Sequence, residues 1–356
     1  MAKNEVAKGS DESVGLSLSW SWSGITGRIR SRFVSSADHL GAIRVDQSGL
    51  EAEREIALHR ANTEAYLELM AAATQAVTSE LKSEPEKARH ALAIMLREGR
   101  KLNNVEECLG LALEDLRNRP DLSEALNEEG PDQLNADFVD RWGRYAEGAN
   151  TEEARERWGR ILAGEIRTPG TFTMKTLRVM DELSTEVAEI FQRLCEARIG
   201  THGAPLAIAN LTRQEVDTLE EADLVQPSVL GRYLKLRRFQ RADGREVYMH
   251  NSSVVGWAVD VDEVDSLKSK LGLNNDGLPF YTEDTLALPV LGFTAVGRAI
   301  ASIISTNQDD NVLKLANLIG QRLSFSTLVL YRRLGDNWEL DHSWPSPNSD
   351  SSGARV

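Results

Sequence analysis

The sequence predicts a mainly α-helical protein with an α+β part toward its C-terminal end. Three observations carry that prediction. Residues 50–116 are rich in Ala, Glu, Leu and Arg, the strongest helix formers. Residues 133–200 repeat apolar positions at helical spacing, and polar N-cap residues precede the repeats. After residue 200 that period gives way to β-prone runs separated by turn residues. The expected organisation is a polar tail over 1–15, an amphipathic segment and long helices over 16–130, a central helical bundle over 131–200, an α+β domain over 201–345 and a polar tail over 346–356. A winged-helix-like arrangement is one form the α+β domain can take.

The first non-tail segment, SLSWSWSGITGRIRSRFV, sets Trp20, Trp22 and Phe33 among Arg28, Arg30 and Arg32. Aromatics and arginines at near-helical spacing can dock on the protein's own helices, on a partner, or on an anionic membrane surface. Residues 50–80 form the next helical run. Pro85 suits the first turn of another helix, which continues through Ala91, Met95 and Leu102 to Leu116. Long helices of this composition pair as hairpins or coiled coils, so a protein partner or a homo-oligomer is expected.

In the central block Phe138, Trp142, Tyr145 and Ala149 share one helix face. Thr151 caps a helix with Glu152 and Glu153 in its first turn, where the dipole favours acids. That helix presents Trp158, Ile161, Leu162 and Ile166. Thr173 caps the next, with Phe172 and Leu177 as a hydrophobic staple, and Ser184 starts a fourth. Further on, Thr212 and Glu215 make a capping box. The run GRYLKLRRFQRADGREVYMH reads as a hairpin closed at Asp243-Gly244. Thr294 caps a helix carrying Val296, Ile300 and Ile303, another helix covers 309–321, and FSTLVLYRRL is strand-like.

Composition narrows the functional classes. Of 356 residues 41% are hydrophobic, enough for substantial cores, and the formal net charge of −14 opposes a general nucleic-acid coat while permitting a local basic patch. Cys108 and Cys195 are too few and too distant for a disulfide framework, which fits a reducing cytoplasm. The N-terminus lacks the apolar run of a signal peptide. The most apolar stretch, 286–305, contains Pro289 and Arg298 and reads as a buried segment, so no transmembrane span is expected. No phosphate-loop, dinucleotide, zincin or nucleophile-elbow motif occurs, and the six histidines lack metal-ligand spacing. No cofactor, metal or catalytic residue is therefore assigned, and a non-catalytic interaction or regulatory role is expected.

Two features remain as candidates for chemistry. Glu165 is the best-placed carboxylate, either perturbed by burial or held in an ion pair with Arg160, Arg167 or Lys175. Arg232, Lys235, Arg237, Arg238, Arg241 and Arg245, interleaved with Tyr233, Phe239 and Tyr248, form a basic hairpin suited to nucleic-acid contact or to guarding a strand edge.

Trp158, the run Ile161 to Ile166 with Ala163, Gly164 and Glu165, then Pro169, Gly170, Phe172, Thr176 and Leu177 resemble the core motif of a bacterial family known as domain of unknown function 2806. The segment FTAVGRAI is similar to a later family segment, with Ala299 where an acid is usual. The resemblance implies a bacterial cytosolic protein and supplies no catalytic residues. Proteins bearing such motifs also resemble some abortive-infection proteins of phage defence, which would make a stress effector acting at the membrane through residues 18–34.

Overall fold

The computed structural model describes residues 25, 27–40, 85–119, 131–201, 203–227, 233–272, 277–282, 284–323, 325–335 and 337–341. The expectations for Trp20, Trp22, Arg232, the run 50–80 and both tails lie outside the described residues.

Six helices build the first half: α1 (Gly27–His39), α2 (Pro85–Asn118), α3 (Ala136–Glu147), α4 (Glu152–Arg167), α5 (Met174–Glu182) and α6 (Thr185–Glu196). Their starts follow from local chemistry. The side chains of Asn135, Thr151, Thr173 and Ser184 each accept a backbone N–H from the first turn they precede. The long helix α2 lies along α4 and contributes Val105, Cys108, Leu109, Ala112, Leu113 and Leu116 to the core. Its first half does not: Leu92, Ile94, Met95, Leu96 and Leu102 stay exposed. At the centre Trp142 is fully buried, its indole Nε1 donating to the Trp158 carbonyl at 2.9 Å, while the Tyr145 and Trp158 rings stack at 4.8 Å.

The second half is the expected α+β part. β1 (Gly203–Pro205) leads through α7 (Leu206–Ala209) and a left-handed Asn210 to α8 (Arg213–Glu221), which begins with the Thr212–Glu215 capping box. A first antiparallel sheet joins β1, β2 (Tyr233–Lys235) and β6 (Phe280–Thr282) to β7 (Thr285–Gly292), and Val225 bridges to Phe293. From α6 onward the chain runs helix, strand, helix, helix, and then enters the strands of two antiparallel sheets, an α+β order.

A second antiparallel sheet has the order β3 (Arg237–Gln240), β4 (Glu246–Asn251), β5 (Val255–Asp260), β8 (Val329–Leu334) and β9 (Asn337–Leu340). The hairpin β3–β4 turns at Asp243-Gly244, where the Arg241 N–H donates to the Arg245 carbonyl at 2.8 Å. The sequence placed residues 231–240 in one arm of that hairpin. Of these, the described residues 233–240 instead divide between two sheets: buried Leu236 sits at the break and gives its N–H to the Leu286 carbonyl at 2.9 Å.

Helices α9 (Val261–Leu267) and α11 (Gln308–Leu323) cover one face of the second sheet, where Val264, Val312, Leu315 and Ile319 pack on Tyr248, Trp257 and Leu330. Helix α10 (Ala295–Ser302), capped by Thr294, returns to pack on α5. Strand β7 belongs to both cores, with Leu286 and Leu288 in the second and Leu291 in the first. Among the described residues no helix is long and apolar enough to cross a membrane.

Candidate functional site

The central motif folds into the corner between α4 and α5. Glu165 sits on the last turn of α4, 3% exposed, and turns its carboxylate onto the loop that follows. Its Oε1 accepts the Gly170 N–H at 2.6 Å and its Oε2 accepts the Phe172 N–H at 2.8 Å. Burial pushes its pKa up, and the N–H groups of Phe172, Gly170 and Thr171 with the Arg32 charge oppose that shift without cancelling it. The expected ion-pair partners are elsewhere. Arg160 pairs with Glu156, Arg167 with Asp115 at 2.6 Å and Lys175 with Asp223 at 2.5 Å. The turn itself offers backbone donors closer to the acid than any of those cations.

The other motif residues serve the same corner. Gly170 has φ +88°, a conformation that a larger side chain adopts only with strain. A Cβ on Gly164 would stand 2.8 Å from Phe172 Cε2 and 3.1 Å from Ile303 Cγ2, so glycine is needed for the chain to pass. Trp158, Ala163, Phe172, Thr176 and Leu177 are buried, and Pro169 is half-buried. From α1, buried Arg32 crosses to the end of α4: Nη1 donates to the Ile166 carbonyl at 2.8 Å and Nε to the Pro131 carbonyl at 2.8 Å. Carbonyls at a helix C-terminus lack partners within the helix, and the guanidinium supplies one. Both Glu165 oxygens, and the Nε and Nη1 of Arg32, are therefore occupied by backbone. A substrate reaching Glu165 would have to displace two N–H groups.

The remaining candidates separate in space. In α1, Ile29, Arg32 and Phe33 face the protein's own helices, and Arg28 pairs with Asp132 at 3.0 Å. That places Arg32 and Phe33 out of reach of a lipid surface. The basic hairpin is not one patch, because alternate strand residues point to opposite faces. Arg238 turns to the helix-covered side, its guanidinium 5.1 Å from the Tyr248 ring centroid and 2.8 Å from Tyr248 Oη. Arg237 and Phe239 point to the other face. Arg241 and Arg245 lie 3.6 Å and 3.5 Å from Asp260 oxygens, and Lys235 is on the first sheet. Helix α8 carries Glu215, Asp217, Glu220 and Glu221 against Arg213. Acids there repel phosphate. Among the described residues no group of three His, Cys, Asp or Glu side chains is placed to hold a metal ion.

Residues 88–222 match the family model described as Protein of unknown function (DUF2806). Over these residues the chain is similar to the DUF2806 family. No curated protein and no solved structure matches the chain. The DUF2806 match runs from the start of α2 through α8 and contains the whole corner motif. It ends before FTAVGRAI, and α1 precedes it. Arg32 and Ile303, which complete the corner, thus lie outside the DUF2806 segment.

Sequence reasoning passed over two features. The apolar residues of α2 between 92 and 102 had the spacing of a core stripe, and only the fold shows that nothing described covers them. Asp260 carried no signal, because its neighbours Arg241 and Arg245 belong to another strand and its turn.

Proposed function

We propose that the protein is a non-catalytic interaction protein whose helical half self-associates through the first half of α2. The observation that carries this reading is the stripe Leu92, Met95, Gly99 and Leu102, flanked by Leu96, which is 61% exposed. These positions follow heptad spacing, three then four residues apart, the geometry of a seam between two paired helices. Contiguous exposed apolar surface of this kind marks an interface, and a symmetric pair of identical chains is the commonest way to cover it. The small Gly99 in mid-stripe lets a second helix approach closely.

The corner supports the same reading, since its acid holds a turn. The free, buried Cys108 and Cys195 fit a reducing compartment, and we place the protein in the cytoplasm.

Light scattering during size-exclusion chromatography of the full chain tests the proposal. A dimer is expected for the wild type and a monomer for Leu92→Lys/Leu102→Lys, with unchanged helical content by circular dichroism because both side chains are exposed in the single chain. A monomeric wild type, or a variant of unchanged mass, would overturn it.

A further inference from the structure

The face of the second sheet opposite α9 and α11 has no helix of the described residues on it. Strand pairing shows which side chains share it. Arg237 opposes Met249, Phe239 opposes Val247, Val247 opposes Asp260, Gly256 opposes Tyr331, and Arg333 opposes Trp338. The face thus carries Phe239, Tyr331 and Trp338 around a small apolar floor of Val247, Met249 and Ala258. Phe239 is 40% exposed, and Tyr331 and Trp338 are half-buried. Exposed Arg237 and Arg333 border this surface, and Arg241 and Arg245 close one end of it.

A second observation points to a ligand. Asp260 precedes α9 but its side chain makes no cap bond, although an Asp in that position ordinarily would. It is 7% exposed and its Oδ1 has no hydrogen-bond partner. A buried carboxylate oxygen left without a donor is costly, and it accepts an N–H readily. Arg241 Nη1 stands 3.6 Å from Oδ1, beyond hydrogen-bond reach, Arg245 Nη1 reaches the other oxygen, Oδ2, at 3.5 Å, and both arginines also face Asp243 Oδ2, at 3.5 Å and 3.9 Å.

We propose that this face binds single-stranded nucleic acid. Phe239, Tyr331 and Trp338 supply planes for base stacking, the surrounding arginines meet phosphate, and Asp260 Oδ1 accepts from an exocyclic amino group. The ligand class follows from the combination. A duplex hides base faces within its stack, and a lipid headgroup has no use for three aromatic planes. The chain's overall charge of −14 keeps binding local to this face and sensitive to salt. The site is separate from the α2 seam and does not depend on self-association.

Fluorescence anisotropy of end-labelled twelve-residue oligonucleotides with the full chain tests it. The probes are oligocytidine and oligouridine as RNA, oligodeoxycytidine, and a duplex. Single strands are expected to bind more weakly as salt rises, and cytidine to bind better than uridine because only cytosine offers the amino donor. Phe239→Ala and Arg237→Glu, both at exposed positions on an edge strand, are each expected to weaken binding about tenfold with little change in thermal midpoint. Asp260→Asn is expected to abolish the cytidine preference. Absence of binding to any single strand, equal affinity for the duplex, or affinity unchanged in both Phe239→Ala and Arg237→Glu would overturn the proposal.

Discussion

Replacing Glu165 is the sharpest test of the corner. In the folded chain its two oxygens satisfy the Gly170 and Phe172 N–H groups, and the Phe172 contact is buried whereas that of Gly170 is partly open. Hydrogen bonds to a charged acceptor contribute about 1.5–3 kcal/mol each, and an orphaned buried donor costs about 1–3 kcal/mol. Water can return to Gly170 but not to Phe172. Glu165→Ala is therefore expected to destabilise the fold by about 2–4 kcal/mol. Glu165→Gln keeps one acceptor but sets its amide N–H₂ against the second donor, for a loss of about 1–3 kcal/mol.

Urea denaturation followed by circular dichroism reads both values. The pH dependence adds a sign. Burial raises the folded-state pKa of Glu165 above its ordinary value, so the folded chain binds the proton more tightly than the unfolded chain. The stability this group contributes is greatest at acid pH and declines as pH rises from the ordinary carboxylate range through the raised pKa. Glu165→Gln should lack that decline. A Glu165→Gln protein within about 0.5 kcal/mol of wild type would show that the carboxylate does not hold the turn. If it kept its stability yet lost a measurable activity, a chemical role would have to replace the structural one.

Gly164→Ala places a methyl group against Phe172 and Ile303 and is expected to cost about 1–3 kcal/mol in the same assay, whereas cost-free tolerance would mean the corner is looser than its distances show. His250 titrates in the opposite sense to Glu165. Burial lowers its pKa from 6.5 to about 4, so it contributes fully above pH 6.5 and that stability is lost as pH falls toward 4. The loss amounts to about 3 kcal/mol. His250→Phe should flatten this acid limb, and an identical limb in the variant would refute the assignment.

The sequence made some elements legible and concealed others for a physical reason. Helix starts at Thr151, Thr173, Ser184, Thr212 and Thr294 were readable because a cap and the N–H it binds lie within one turn. The Asp243-Gly244 turn was readable for the same reason. What escaped depends on distant partners. Arg32 belonged to a segment with three possible docking surfaces, and only the fold shows its buried guanidinium serving carbonyls far along the chain. β1 is three residues long and has no period to detect; it exists as a strand through its pairing with β7. The motif marked Glu165 as unusual, but its partners were visible only once the Thr-Pro-Gly loop had folded back over it.

Strand β7 has a mechanical consequence. Eight residues long, it is at once a wall of the helical core and a wall of the core beneath the second sheet. A chain built this way has no slack joint between its halves. Pulling Leu288 out of one core drags Leu291 from the other, so the two halves share a single fate on heating. Any strain that a guest imposes on the sheet is felt among the helices without a lever or a relay between them.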